Sequence, residues 1–231
     1  LATTQVVGRD RYIEYVSWLA NVAASCEKIL QEIRNLQRSE IQEAGEGFDI
    51  KKQVGSSTMA HKKNPIKSEN ASGLARIVRS MIIPTYENAL LWHERDLANS
   101  SSERFTLSHG STLCDDVITK TRQVLTNMWV DADRCLENIK SQRGLVMAEK
   151  VMIELVEHGI PRDEAHEILR SASFEAVDKK IELIDVCSRT PEIAAAFSAS
   201  ELEAMFDPMN HIGVSGEIVD EAVELARLAI K

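Results

Sequence analysis

Residues 55–65 contain side-chain types from which a catalytic loop can be built. They read GSSTMAHKKNP: a glycine precedes three hydroxyl residues, and a lysine pair and an asparagine precede Pro65. Proline suits the first turn of a helix, because its missing N–H would have no partner there. A helix N-terminus attracts anions through free N–H groups and its dipole, so a serine hydroxyl near such donors could be stabilised as an oxyanion. The same residues also fit an ordinary surface loop.

The charge pattern favours a small anionic ligand near this segment. The formal net charge is −9, yet residues 51–79 contain seven basic residues and one acidic residue, Glu69. A nucleic-acid-binding protein would usually be basic overall. It would also need aromatic residues for stacking on bases, and residues 51–79 contain none. A solvated helix face is the remaining alternative.

Helices are the elements that must position this loop. The 231 residues include only 10 glycines and 5 prolines, and aromatic residues make up 5%. Sparse helix breakers and abundant helix formers predict an all-α fold. We predict a long-helix bundle domain at residues 1–140, which carries the loop at about 46–64, and a smaller helical C-terminal domain at 141–231.

Apolar spacing predicts the individual helices. A long helix is predicted to begin near residue 9 and to end at Gly45 and Gly47. Its apolar seam consists of Tyr12, Tyr15, Leu19, Val22, Cys26, Ile29, Ile33 and Leu36. A second helix follows Pro65, and Pro84 should kink it or start a new turn.

Further helices are predicted over 103–129, about 145–157, 161–180, 191–197 and 216–230, with Gly144 marking the change of domain. The inward residues of 103–129 are predicted to be Phe105, Leu107, Leu113, Val117, Val124 and Met128. The segment 200–203 has capping-box spacing.

The cysteine pattern suggests a reducing compartment. The four cysteines form no CxxC pair, and each lies in an apolar pattern. We therefore expect reduced core residues in a cytoplasmic protein, neither disulfide-bonded nor metal-bound. The sequence shows no apolar run of membrane-spanning length and no signal peptide. It opens at Leu1 within a pattern, from which we expect a fragment of a longer protein.

The segment 55–65 resembles the signature of the fumarase/aspartase superfamily, usually GSSxMPxKxNP. It matches every fixed position except one, where Ala60 replaces proline. Residues 92–96 (WHERD) and 100–104 (SSSER) resemble the WHERD…SSxER segment of adenylosuccinate lyases. Residues 4–5 and 9–12 resemble the TQ…RDR segment of the same family. Asn99 stands where many members have histidine, a difference that we expect to be neutral.

The resemblance implies a C–N lyase that needs no cofactor and no metal. Members release fumarate by β-elimination from adenylosuccinate, giving AMP, and from the succinyl-carboxamide intermediate of purine biosynthesis (SAICAR). Removing a proton beside a carboxylate requires a base, a cradle for the aci-carboxylate and an acid for the leaving nitrogen.

The resemblance also assigns roles by position. The catalytic residues are Ser57, Lys62 and Glu69, and the substrate-binding residues are Gln5, Ser56, Asn64, Arg95, Ser100 and Arg104. Ser57 is the general base, and Glu69 orients active-site groups. Lys62 and Asn64 bind the succinyl carboxylates, while Gln5 donates a hydrogen bond to the substrate.

Arg95, Ser100 and Arg104 are expected to hold the nucleotide phosphate, since arginine forks suit phosphate geometry. Each assignment has a structural alternative. Glu69 could pair with Arg76 or Lys62, the two arginines could be helix-surface charges, and Ser100 could be an N-cap.

The family forms homotetramers whose active sites combine residues from three subunits. Its general-acid histidine lies in an N-terminal portion that is not in this sequence, so we expect little activity from this chain alone. Two other readings stay open: another enzyme of the superfamily, such as carboxymuconate cycloisomerase, and a non-catalytic helical scaffold. The WHERD and SSSER segments argue against the first, and the intact Ser57, Lys62, Asn64 and Glu69 argue against the second.

Overall fold

The computed structural model describes residues 5–48, 59, 62–93 and 95–230. The chain divides into two compact units, Leu1–Cys135 and Leu136–Lys231. The sequence placed a domain boundary near residue 140. The predicted all-α fold class is confirmed, since strands account for almost none of the described residues.

In its described residues, the first unit contains five complete helices and a short strand pair. Its helices are α1 (Asp10–Leu36), α2 (Ile66–Ser80), α3 (Ile82–Glu87), α4 (Ala98–Thr106) and α5 (Ser108–Asn127), and its strands are β1 (Ala44–Gly45) and β2 (Trp129–Val130). The strands pair antiparallel, with Ala44 opposite Val130 and Gly45 opposite Trp129. Helix α6 (Ala132–Ser141) crosses the division between the units.

The core of the first unit lies between α1, α2 and α5. One cluster consists of Leu19, Ala23, Ala75, Val78, Cys114 and Val117, and a second of Leu30, Ile33, Ala71 and Val124. The small Ala23, Ala71 and Ala75 are fully buried, and their size lets the helix axes approach closely. Burying each large aliphatic side chain contributes roughly 1.5–3 kcal/mol.

Helix α1 ends at Leu36, so the predicted continuation to Gly45 is wrong. Apolar spacing stops at Leu36, and the exposed residues 38–40 have nothing to bury. Gln42 then adopts a left-handed conformation with a φ of 57°. The side chain of Arg134 donates to the carbonyl of Ile41 at 3.0 Å, which holds this turn against the start of α6.

The predicted seam of α1 is only partly the buried face. Leu19 and Ile33 are buried, but Tyr15 and Ile29 are 42% and 41% exposed. The helix instead buries Val16, Ala20, Ala23 and Leu30. The helix is apolar on more than one side, and local spacing alone does not select the side that meets α2 and α5.

The predicted helix over 103–129 consists of two helices that meet at Leu107. Val117 and Val124 are buried as predicted, whereas Phe105 is 62% exposed. Helix α4 begins earlier than predicted, at Ala98. Pro84 lies within the new short helix α3, in agreement with the predicted restart after α2.

The second unit contains the helices α7 (Ala148–Glu157), α8 (Arg162–Lys179), α9 (Leu183–Cys187), α10 (Pro191–Ala196), α11 (Ala199–Phe206) and α12 (Ser215–Ile230). Short 3-10 turns cover Leu145–Met147 and Pro208–His211. Its own core includes Val151, Leu155, Leu183, Val186 and Ile193. The segments predicted after Gly144 are confirmed as helices. The capping-box spacing indicated a helix start near α11, and the sequence missed only the five-residue α9 among the described helices of this unit.

Two local features set the ends of elements in the second unit. Gly144 has a φ of +76°, and a Cβ there would lie 2.8 Å from the ring of Phe206, so this position requires glycine. The capping box of α11 pairs Ser198 with Glu201, and the predicted box at 200–203 is therefore wrong. Ser200 lies inside α11, so its hydroxyl does not accept the capping hydrogen bond at the start of the helix.

The four cysteines are free thiols. Cys114 and Cys187 are buried, and burial raises the pKa of the Cys187 thiol to about 12. Cys26 and Cys135 are half-buried. Across the residues that the structure describes, no helix is both long enough and apolar enough to cross a membrane.

Candidate active site

The residues that follow the signature serines line one large cavity in the first unit. Its volume is about 1010 Å³, and its lining includes Lys62, Asn64 and Glu69. The sequence predicted all three as site residues. Ser56 and Ser57, the other two residues predicted from the same loop, lie outside the described residues.

Backbone hydrogen bonds join the described residues that precede α2. The N–H of Lys62 donates to the carbonyl of Met59 at 3.1 Å, and the N–H of Ile66 donates to the carbonyl of Asn64 at 2.9 Å. Pro65 occupies the N-cap position of α2, and its carbonyl accepts from the N–H of Glu69 at 2.9 Å. Lys62 and Asn64 thus precede the helix, while Glu69 lies in its first turn.

The protein's own Glu46 occupies the N-terminus of α2. Its carboxylate accepts from the N–H groups of Lys67 and Ser68 at 3.1 and 2.9 Å, and from the Ser68 hydroxyl at 2.9 Å. Glu46 is only 4% exposed. The sequence led us to expect that these amides would attract a ligand anion, but an internal carboxylate already satisfies them. Sequence reasoning missed Glu46, because it lies distant along the chain from the amides that it binds.

Positive charge prevails in the described lining of the cavity. Five cationic side chains line it, namely Arg34, Arg38, Lys62, Lys63 and Arg134, against the two carboxylates Glu69 and Asp131. Such an excess stabilises a polyanionic ligand or a carboxylate that gains charge. The arginines were not predicted as site residues. Arg134 in particular lies far from the loop in sequence, so no local motif could reveal it.

Glu69 does not form the ion pair with Arg76 that its spacing permits. Arg76 lies 3.6 Å from Glu27 of α1 instead, and Arg79 also binds Glu27. Glu69 is exposed and lines the same cavity as Lys62. This placement agrees with a role for Glu69 in orienting groups in the cavity.

A second, smaller cavity lies where α4 begins. Its volume is about 140 Å³, and Arg95, Ser100, Arg9, Asn99 and Glu103 line it together with nearby loop residues. Arg95, Ser100 and Arg104 were predicted to hold one phosphate, and the structure places the first two of them beside this cavity. Of the other described candidates, Gln5 and Arg104 are exposed and lie outside the lining of this cavity.

An ion pair joins two segments that resemble family motifs. The Nε of Arg9 donates to Glu103 at 2.7 Å, and the amide of Asn99 donates to the same oxygen at 2.8 Å. Burial opposes ionisation of Glu103, but the hydrogen bonds from Arg9 and Asn99 outweigh it and hold its pKa below the ordinary value. The hydrogen bond to Glu103 likewise raises the pKa of Arg9. Glu103 and Arg9, which both line the small cavity, are therefore charged at neutral pH.

Asp96 fixes the turn that carries Arg95. Its carboxylate accepts from the N–H groups of Trp92 and Ala98, each at 2.8 Å, and these two bonds lower its pKa. Ser100 is not an N-cap, because α4 begins at Ala98 after Leu97. The structural alternative for Ser100 is thus wrong.

Comparisons with known proteins first show similarity to lyases. The family model described as "Lyase" matches residues 2–80, which include the described signature residues Lys62, Asn64 and Glu69. A solved 3-carboxy-cis,cis-muconate lactonizing enzyme from Pseudomonas putida is 29% identical, with a TM-score of 0.83 over 94% of this chain and 47% of that chain. The β-carboxy-cis,cis-muconate cycloisomerase of Acinetobacter calcoaceticus is 26% identical, with a TM-score of 0.85 over 97% of this chain and 48% of that chain.

The curated relatives with higher identity are adenylosuccinate lyases. The adenylosuccinate lyase of Archaeoglobus fulgidus is 42% identical over 100% of this chain and 52% of its own length. That of Methanothermobacter thermautotrophicus is 42% identical over 97% of this chain and 50% of its length. The model described as "Adenylosuccinate lyase C-terminus" matches residues 144–222. The chain is similar to adenylosuccinate lyases over its whole length, and it spans about half the length of the curated relatives that it matches.

Proposed function

We propose that the protein containing this chain releases fumarate from adenylosuccinate by β-elimination, leaving AMP, and acts likewise on SAICAR. One structural observation carries the proposal. Lys62, Asn64 and Glu69, which match the family positions for substrate binding and catalysis, line a single cavity with excess positive charge. The relatives that share about 40% of the sequence bear the name adenylosuccinate lyase, which supports this substrate.

In the proposed reaction, Ser57 removes the proton beside a succinyl carboxylate. The charge that develops is shared with Lys62, a point charge, and with the amide of Asn64, a hydrogen-bond donor. Glu69 orients Lys62 and the substrate. The general acid for the leaving nitrogen comes from outside these residues, and no cofactor takes part.

Arg95 and Ser100 bind the nucleotide phosphate in this proposal. Their small cavity is separate from the large one in the described residues, and Gln5 and Arg104 line neither. Both observations are consistent with active sites that combine residues of several subunits. We therefore propose a homotetramer, acting in purine biosynthesis in the cytoplasm.

The assay for the reaction is fumarate release by the protein expressed from its complete gene. The Ser57→Ala variant should lose several orders of magnitude in kcat, because removal of the base leaves only binding and charge stabilisation. Ser141→Ala, an exposed serine of α6, is the matched control and should keep the parental rate. Release that survives Ser57→Ala would reject Ser57 as the base, and no release by the parent would reject the function.

Cyclisation of a carboxymuconate is the second candidate, because the two solved relatives described above are named as a carboxymuconate lactonizing enzyme and a carboxymuconate cycloisomerase. Their identities of 29% and 26% are lower than the 42% of the adenylosuccinate lyases. We expect the complete protein to release fumarate from adenylosuccinate and to leave 3-carboxy-cis,cis-muconate unchanged. Conversion of the muconate without fumarate release would reverse the assignment.

The proposed assembly is tested by the mass of the protein in solution. Trp18 is 58% exposed on α1, and Ile118 is 41% exposed on α5, so the helices of the first unit carry apolar area that is uncovered within one chain. Trp18→Asp should shift the complete protein from tetramer to smaller species in light scattering. Circular dichroism serves as the control for folding. A monomeric parent would contradict the proposal.

A further inference from the structure

The small cavity at the start of α4 has a balanced set of charges in its wall. Among the residues that the structure describes, the cations Arg9 and Arg95 and the carboxylates Asp96 and Glu103 line it. Their formal charges cancel, so a count of charges would not predict an anion site. The pairing of the carboxylates decides the matter, because a carboxylate that is paired with a cation repels an incoming anion much less.

Glu103 uses both of its carboxylate oxygens within the protein. Its Oε1 accepts from the Nε of Arg9 at 2.7 Å and from the amide of Asn99 at 2.8 Å. Its Oε2 accepts from the Nη2 of Arg9 at 3.3 Å. Two parallel bonds of this kind are the strongest way to join a guanidinium to a carboxylate. Both side chains are largely buried, so salt and water screen the pair little.

The other carboxylate of the wall is occupied as well. Asp96 accepts from the N–H groups of Trp92 and Ala98, each at 2.8 Å. Arg95 is exposed, and no carboxylate in the described part of the chain forms an ion pair with it. The cavity therefore offers an unpaired guanidinium, that of Arg95, together with the hydroxyl of Ser100.

The pair of Arg9 and Glu103 also holds the helical turn that carries Ser100. The N-cap residue of α4 is Leu97, whose side chain makes no capping hydrogen bond, and helix ends fray easily. The hydrogen bond from Asn99 to Glu103 spans the turn that contains Ser100. Arg9 attaches Glu103 to the start of α1, 94 positions earlier in the chain. Loss of Arg9 would thus loosen this turn and leave an unpaired carboxylate close to it.

We propose that Arg9 is a positioning residue for phosphate recognition. Its pairing with Glu103 cancels the carboxylate charge near Ser100 and holds the first turn of α4. Arg95 and Ser100 can then bind the phosphate of a nucleotide. Arg9 acts through Glu103 and does not need to touch the ligand. The inference rests on the proposed function, because that function assigns the phosphate to Arg95 and Ser100.

The test uses AMP and adenosine as probes, since they differ only in the phosphate. Titration calorimetry measures the affinity of the complete protein for both, in the parent and in Arg9→Gln. This change leaves the carboxylate of Glu103 unpaired, so the affinity for AMP should fall about 10- to 100-fold through charge repulsion at a poorly screened position. The affinity for adenosine, which carries no charge, should change by less than about threefold.

A double variant separates the effect of charge from a general loss of structure. When Arg9→Gln is combined with Glu103→Gln, no carboxylate remains at this position to repel the phosphate. The double variant should therefore bind AMP more tightly than Arg9→Gln alone, whereas two independent structural losses would add. Arg9→Lys keeps the positive charge but loses the fork, and its affinity for AMP should lie between those of Arg9→Gln and the parent.

Arg79→Gln is the matched control. Arg79 is a half-buried arginine that pairs with Glu27 of α1, and it lies outside the lining of the small cavity. Its replacement should lower the thermal stability, because it leaves Glu27 with a weaker partner, and should leave the affinity for AMP at the parental value. Thermal unfolding of all the variants shows that each is folded during the titrations.

Parental affinity for AMP in Arg9→Gln would overturn the inference. Equal losses for AMP and adenosine would also overturn it, and so would a double variant that binds AMP more weakly than Arg9→Gln. Fumarate release is assayed on the same proteins. A parent that releases no fumarate but prefers AMP to adenosine would refute the proposed function, and Arg9→Gln would still decide the inference. A parent without that preference would overturn the inference itself.

Discussion

At the scale of single residues, Glu103 illustrates how this protein keeps a charge in a half-buried place. Its side chain is 15% exposed, and burial alone would raise the pKa of its carboxyl. Hydrogen bonds from Arg9 and Asn99 reverse that effect. Arg9 and Glu103 are 94 positions apart, so this pair holds the start of α1 against α4.

The lowered pKa of Glu103 predicts a pH dependence of stability. A carboxyl whose pKa is lower in the folded protein stabilises it above the unfolded pKa, and that contribution is lost as pH falls through the folded value. Glu103→Gln should lower the free energy of unfolding by about 1–3 kcal/mol at pH 7. Below its ordinary value of 4.5, the difference from the parent should shrink.

Denaturant titrations at pH 7 and at a pH below 4.5 measure the difference in the free energy of unfolding between the parent and Glu103→Gln. The exposed Glu87 provides the control, since Glu87→Gln should change little at either pH. A gap between parent and Glu103→Gln that stayed constant as the pH fell would contradict the linkage.

At the scale of elements, the start of α11 depends on one of two neighbouring serines, Ser198 and Ser200. Ser198 has an extended backbone, with a ψ of 163°, and its hydroxyl accepts from the N–H of Glu201. The carboxylate of Glu201 in turn accepts from the N–H of Ser198 at 2.7 Å. Two orphan amides of the helix are thereby satisfied by a reciprocal pair.

Removal of this cap should destabilise the second unit. Ser198→Ala is expected to cost about 1 kcal/mol in the free energy of unfolding. Ser200→Ala is the matched control, because Ser200 lies within the helix, and it should change stability by less than about 0.5 kcal/mol. Thermal unfolding followed by circular dichroism measures both. A larger effect at Ser200 would mean that the box lies where the sequence first placed it.

At the scale of the whole molecule, each unit has a hydrophobic core of its own. The core of the second unit includes the fully buried Leu155, and the clusters of the first unit share no residue with it. The three tryptophans, Trp18, Trp92 and Trp129, all lie in the first unit. Tryptophan fluorescence therefore reports on the first unit, whereas the far-ultraviolet signal reports on both.

This distribution allows a test of a core deletion in the second unit. Leu155→Ala should destabilise that unit by about 2–5 kcal/mol, from lost burial and the cavity left behind. The far-ultraviolet transition should begin at a lower denaturant concentration, while the fluorescence transition stays near that of the parent. Ile153→Ala, at a position 42% exposed, is the control. An equal shift of both signals would show that the units unfold together.

Much of the candidate site was predictable from the sequence because its residues are close along the chain. Lys62 and Asn64 lie within one motif, and Glu69 follows it closely in the first turn of α2. Glu46 and Arg134 were not predictable in this way, because each acts on backbone or cavity atoms that lie far along the chain.

The sequence by itself determined the helical class and most helix positions. Helix breakers and apolar spacing act over a few residues, so Pro65 and Gly144 could be read directly as points of change. Only the tertiary structure decided which side of α1 is buried, where α1 ends and which anion occupies the N-terminus of α2. The physical reason is that these outcomes depend on surfaces brought together from distant segments, where burial and hydrogen bonding select among locally equivalent choices.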